Sequence, residues 1–167
     1  MAISQNQVFD NELTGRFLTI GGAAPGYQTD GGQTGLKITD TNPHIFGPIG
    51  PACFGWLSFQ LETLTGSTLA GAWKIEVSND YCQGPGINGG SGLWTDVTAC
   101  FRTPNATTGT AIAAVTSGAS NQWVQFMTAS GIPTPCAGAA YRVTFTASSG
   151  SGVARVVANN APAGAGF

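Results

Sequence analysis

The sequence predicts an all-β fold, an antiparallel β-sandwich of jelly-roll-like character, on three observations. Apolar residues recur with period two in several windows. The 25 glycines and 9 prolines among 167 residues leave few stretches able to hold an uninterrupted three-turn helix. Clusters of Gly, Ser, Asn and Pro separate the alternating runs at the spacing of short strands.

In chain order, residues 16–20 and 36–39 are expected as short strands. Residues 41–52 carry three prolines and read as a long connection with His44 in a turn. Residues 53–63 (CFGWLSFQLET) alternate, with Leu57, Phe59 and Leu61 on one face and Ser58, Gln60 and Glu62 on the other. Residues 72–78 (AWKIEVS) repeat the scheme, with Trp73, Ile75 and Val77 inward and Lys74 and Glu76 outward, until Asn79-Asp80 ends the run with turn chemistry. Residues 79–93, including GPGINGGSG, form a second long connection. Residues 94–101 (WTDVTACF), 111–116 and 122–128 (QWVQFMT) are further strands, rich in aromatic and β-branched residues. Near the C-terminus, residues 141–146 and 153–157 flank Ser148-Ser-Gly-Ser-Gly152, which predicts a hairpin of antiparallel neighbours. About eight strands at this spacing indicate a sandwich.

The length accommodates one domain. The expected organisation is an N-terminal arm over residues 1–15, a β-sandwich domain over 16–158 and a C-terminal tail over 159–167. The two ends are polar or Ala/Gly/Pro-rich and patternless.

Composition narrows function. Charged residues are 8% of the chain, against about 25% in typical soluble proteins, while the hydrophobic share is an ordinary 42%. The surface is therefore covered by Ser, Thr, Asn, Gln and Gly, and a net charge of −2 offers little self-repulsion. That favours life in an assembly, with a homo-oligomer expected. Six basic residues scattered from Arg16 to Arg155 cannot form the cluster that neutralises several phosphates, so no nucleic acid is expected. No apolar run approaches a membrane span, and the first residues lack the charged and apolar regions of a secretory signal, so no membrane partner is expected and synthesis is expected in the cytoplasm. Cys53, Cys82, Cys100 and Cys136 contain no C-x-x-C pair and read as mostly buried thiols, although later oxidation could join Cys82 to Cys100.

The constellations that carry catalysis are missing, so no enzyme, no catalytic or metal-binding residue and no cofactor is expected. His44 is the only histidine, and no nucleophile motif accompanies it. Glu62, Glu76, Asp80 and Asp96 could act together only at a fixed separation. Their simpler role is turn capping by the aspartates, with Glu76 solvated. The GPGINGG glycines lead into no helix N-terminus and so form no phosphate cradle. Trp56, Trp73, Trp94 and Trp123 lie in or beside expected strands, where a large aromatic usually joins the core. Trp56 is the exception, since it shares the face of Ser58, Gln60 and Glu62.

The succession GWLSFQLETLTGSTLAGAWKIEVSND, LWTDVT and AAYRVTFTASSGSGVARVVANNA resembles a pattern in small structural proteins of tailed bacteriophages. The shared order is a strand, T-G-x-x-x-x-G, an aromatic-led strand ending in S-N-D, W-T-D, and a final Y-R segment with S-G-S-G. It covers residues 53–100 and 139–160, and this chain departs from it in the longer 79–93 connection and its four cysteines. The resemblance implies a sandwich component of a virion, such as a capsid decoration (cement) or minor head protein that contacts the major capsid or another virion protein. The alternative is a tail or fibre module that binds host-surface glycans, with carbohydrate as partner.

Overall fold

The computed structural model describes residues 7–10, 16–20, 27–30, 33–49, 55–79, 93–104, 109–135 and 140–162, and the side chains of 35–46, 57–79, 93–104, 109–135 and 140–158. These residues form an all-β sandwich of two antiparallel sheets. The strands are β1 (Gln7–Asp10), β2 (Arg16–Ile20), β3 (Tyr27–Asp30), β4 (Gln33–Ile38), β5 (Pro43–Ile49), β6 (Gly55–Thr63), β7 (Ala70–Ser78), β8 (Thr95–Asp96), β9 (Phe101–Thr103), β10 (Thr110–Ala111), β11 (Ser120–Phe126), β12 (Ala140–Ser149) and β13 (Gly152–Pro162).

The large sheet runs β1-β2-β13-β6-β11-β9-β10. β13 pairs with β2 through its C-terminal half and with β4 through Gly152, Val153 and Ala154, and β3 adds to β4. The small sheet runs β5-β12-β7-β8. Period-two patterning decides which face of each strand turns inward. Leu57, Phe59 and Leu61 of β6 meet Trp73 and Ile75 of β7 and Val143 and Phe145 of β12 in one core. Aromatic rings tie it together: Phe59 and Phe101 lie 5.3 Å apart, Trp73 and Phe145 4.6 Å, and Phe101 reaches Tyr141 across the sandwich at 6.2 Å. Each such pair adds about 0.5–1.5 kcal/mol beyond its buried area.

Four expectations are corrected. First, residues 141–146 and 153–157 are not hairpin neighbours. β12 pairs with β5 and β7 in the small sheet, whereas β13 pairs with β2, β4 and β6 in the large one. The link through Ser149–Gly152 is a sheet-to-sheet arch, and the link between β6 and β7 is a second arch stacked on it. Leu64 N donates to Val153 O at 2.9 Å, Thr68 N donates to Ser151 O at 2.9 Å, and Ser151 N donates to Thr68 Oγ1 at 3.1 Å. A non-local partner thus satisfies backbone groups that a hairpin would satisfy locally. Gly150 turns the arch with φ +81°, and its α-carbon lies too close to the Thr68 carbonyl to carry a side chain.

Second, residues 94–101 are not one strand. β8 ends at Asp96, and a 3₁₀ turn at Thr98–Cys100 carries the chain across to β9 in the large sheet. Asp96 Oδ1 accepts from Thr98 N at 2.9 Å and from its hydroxyl at 2.6 Å, a local closure that competes with the ladder.

Third, residues 41–52 are not purely a connection: Pro43–Ile49 is β5, which among the described residues pairs with β12 alone. Its prolines are tolerated because an edge strand has one row of backbone groups without a ladder partner.

Fourth, residues 111–116 give only the two-residue β10 and an isolated bridge between Val115 and Gly71. At the ends, β1 lies inside the segment expected as an arm, and β13 continues past residue 158 to Pro162.

Candidate functional site

The outer face of the large sheet carries an ordered set of polar side chains around one exposed tryptophan. Alternation turns Ser58, Gln60 and Glu62 of β6 away from the core, together with Asn121, Trp123 and Gln125 of β11 and Arg155 and Val157 of β13. Register stacks them in cross-strand rows: Asn121 opposite Glu62 opposite Arg155, and Trp123 opposite Gln60 opposite Val157. Rows two residues apart are separated by about 7 Å and neighbouring strands by about 4.8 Å.

Hydrogen bonds lock one of these rows. The Arg155 guanidinium donates to Glu62 Oε2. Gln60 Nε2 donates to Glu62 Oε1 at 2.7 Å and to Asn121 Oδ1 at 3.2 Å. The Glu62 carboxylate is buried under these partners, with 6% exposure for the residue. Both of its oxygens already accept hydrogen bonds, so its present arrangement suits holding neighbours in place. An open cleft of about 260 Å³ lies over this end of the sheet, lined by Glu62, Asn121 and Arg155, by Ser120 at the start of β11 and by Leu64 and Thr65 of the turn after β6. Trp123, one row away, is 47% exposed.

The small sheet repeats the device. Glu76 of β7 faces Arg142 of β12 in register and accepts from Arg142 Nε at 2.7 Å and from Lys74 Nζ at 2.7 Å. Burial pushes the Glu76 carboxyl up, but its hydrogen bonds to Arg142 and Lys74 and their charges hold it below the usual glutamate value. Arg142 also stacks on Trp94, its guanidinium carbon 4.4 Å from the ring centroid.

The structure separates the carboxylates considered together from sequence. Glu62 and Glu76 occupy the outer faces of opposite sheets. Asp96 lies opposite Glu76 in register, but its carboxylate caps Thr98, whose hydroxyl and amide hold it below the ordinary aspartate range. Asp80 lies outside the described residues. Glu76 is not solvated as expected; it is 5% exposed, because Arg142, Lys74 and Thr144 cover it. His44 sits in β5, with Nε2 3.0 Å from Asp40 Oδ1. Among the described residues there is no group of three or more His, Cys, Asp or Glu side chains able to hold a metal ion.

The tryptophans divide. Trp73 is core, Trp94 is half-buried beneath Arg142, and Trp123 is exposed, contrary to the expectation of core packing. The Trp56 side chain, Cys53, Cys82 and Cys136 lie outside the described residues, as does any link from Cys82 to Cys100; Cys100 is a half-buried thiol. Sequence reasoning missed the partnership of Gln60, Asn121 and Arg155 with Glu62. Alternation alone puts Gln60 on the face of Glu62, but the types of Asn121 and Arg155 gave no signal, because only strand register brings them there. Comparison with family models, with curated proteins and with solved structures finds no match to this chain.

Proposed function

We propose that this chain is a virion structural protein, a capsid decoration (cement) or minor head subunit without catalytic activity, which stabilises a particle through contacts with the major capsid protein or other virion subunits. The observation that carries the reading is the way charge is neutralised within each sheet. The buried glutamates of both outer faces meet an arginine directly across the ladder, and the rest of each face is mostly amide, hydroxyl and apolar groups, with Lys74 on one and Arg102 on the other. Such faces can be covered by a neighbour with little ionic desolvation cost. Exposed Ile45, Leu93 and Ile132, at 50%, 73% and 61% exposure, supply apolar contact. At about 25 cal/mol per Å², a few hundred Å² of apolar burial per copy contributes several kcal/mol before association entropy is subtracted. Many copies would then act together by avidity. The resemblance of residues 53–100 and 139–160 to phage structural proteins supports the same reading.

An antibody raised against the purified chain tests it on particle fractions from the source that carries the gene. Labelling of intact virions and saturable rebinding to stripped particles are expected. Confinement of the chain to the non-particulate fraction overturns the reading.

A second reading, a tail or fibre module that binds host-surface glycans, is favoured by one specific observation: Trp123 is exposed beside Gln60 and Asn121 on the outer sheet face.

A further inference from the structure

We propose that the outer face of β11, β6 and β13 is a binding site for one ring of a neutral oligosaccharide. In it Trp123 stacks on the C–H face of the sugar, while Asn121 and Gln60 hydrogen-bond its hydroxyls. This rests on the glycan-binding reading and names its site and ligand class.

Three features of the site lead to a sugar. A pyranose has an apolar face and a polar rim, and Trp123 supplies the matching flat surface at 47% exposure, standing beside the cleft and not inside the core. The rim needs donors and acceptors at fixed positions. Gln60 spends its amide nitrogen on Glu62 and Asn121, which leaves its carbonyl oxygen as an acceptor, and Asn121 accepts through Oδ1, which leaves its amide nitrogen as a donor. These groups are held before any ligand arrives, so binding costs less side-chain entropy. The row spacing of about 7 Å places a ring over Trp123 within reach of Asn121, one row along the strand.

Charge selects a neutral ligand. Arg155, the cation that lines the cleft, is committed to Glu62, directly opposite it, and Arg102 of β9, opposite Gln125, donates to the Gly109 carbonyl. A sugar carboxylate, sulfate or phosphate would have to displace Glu62 and leave it buried without its ion-pair partner, which is strongly unfavourable.

The test uses the full chain on an array of neutral and sialylated oligosaccharides, followed by titration of the best neutral binder by tryptophan fluorescence and calorimetry. Neutral glycans are expected to bind in the micromolar to millimolar range. Trp123→Ala is expected to weaken binding at least about tenfold, and Asn121→Ala about threefold or more. Trp123→Phe should keep part of the affinity, and Trp94→Phe, on the other sheet, should leave it unchanged. Melting curves of each variant report whether it is folded. Undiminished binding by folded Trp123→Ala overturns the site while leaving the glycan reading standing. No binding of any glycan by the wild-type chain up to about 10 mM, beyond the range of single-ring affinities, overturns both. Preference for sialylated over neutral glycans overturns the ligand class.

Discussion

Replacing Gly150 by alanine tests whether the stacked arches set the stability of this sandwich. Gly150 has φ +81°, a left-handed conformation that costs a residue with a β-carbon about 1–2 kcal/mol. A methyl there would stand 2.6 Å from the Thr68 carbonyl carbon, closer still to its oxygen, and 3.1 Å from Leu69 N. Those atoms are backbone, so the two arches must move apart. The paired hydrogen bonds between Thr68 and Ser151 are then weakened, at about 1 kcal/mol each. The sum is about 3–4 kcal/mol, or a fall in Tm of about 10 °C for a chain of this length. Gly118→Ala is the internal control. Its φ is +84°, but the nearest atom to a methyl at that position is Ser67 O at 3.6 Å, an ordinary contact. Only the backbone penalty remains, about 1–2 kcal/mol. Calorimetry and urea unfolding of both variants read the difference. Equal losses, or a Gly150→Ala cost below about 1 kcal/mol, would refute the stacked-arch account.

Three further outcomes are expected. Phe145→Ala, a fully buried ring against Trp73, should cost about 3–5 kcal/mol in urea unfolding, whereas Trp73→Phe should cost less than about 1.5 kcal/mol, because the Trp73 indole N–H is buried without a partner and phenylalanine removes that orphan donor. Arg155→Ala should destabilise by about 2 kcal/mol by leaving Glu62 buried and uncompensated. Adding Glu62→Gln should recover part of that loss, and a double-mutant cycle that shows no coupling would contradict the cross-strand pairing. Glu76 titrates below its ordinary value of 4.5 in the folded chain, so its contribution is complete above that value and is lost as pH falls through the lower folded value. Tm should therefore fall more steeply below about pH 4.5 in the wild type than in Glu76→Gln, and equal slopes would contradict the assignment.

Strand content is legible where alternation is strong. β6 and β7 follow their apolar positions nearly residue for residue, because a half-buried strand imposes a period that needs no knowledge of its partner. Residues 94–101 mislead because alternation and β-branched residues continue through Thr98, while the deciding interaction is the Asp96 side chain closing on that residue. Size predicts Trp123 inside, yet the strand's own alternation puts Val124 in the core and Trp123 outside. The cluster around Glu62 is legible only in part: alternation puts Gln60 and Glu62 on one face, but Asn121 and Arg155 are far away along the chain, and each alone is an ordinary surface residue.

From its sequence alone, this protein is committed to being an all-β chain with an almost uncharged exterior, since period-two burial and composition are properties of each segment by itself. Only the tertiary structure decides which strands share a sheet. The β12–β13 turn has the glycines of a hairpin, but Thr68 and Leu64, from another arch, supply its hydrogen-bond partners and send the two strands to opposite sheets. That same non-local choice sets β13 beside β6, and with it Arg155 opposite Glu62, because register is settled by pairing across the fold and not by neighbours along the chain.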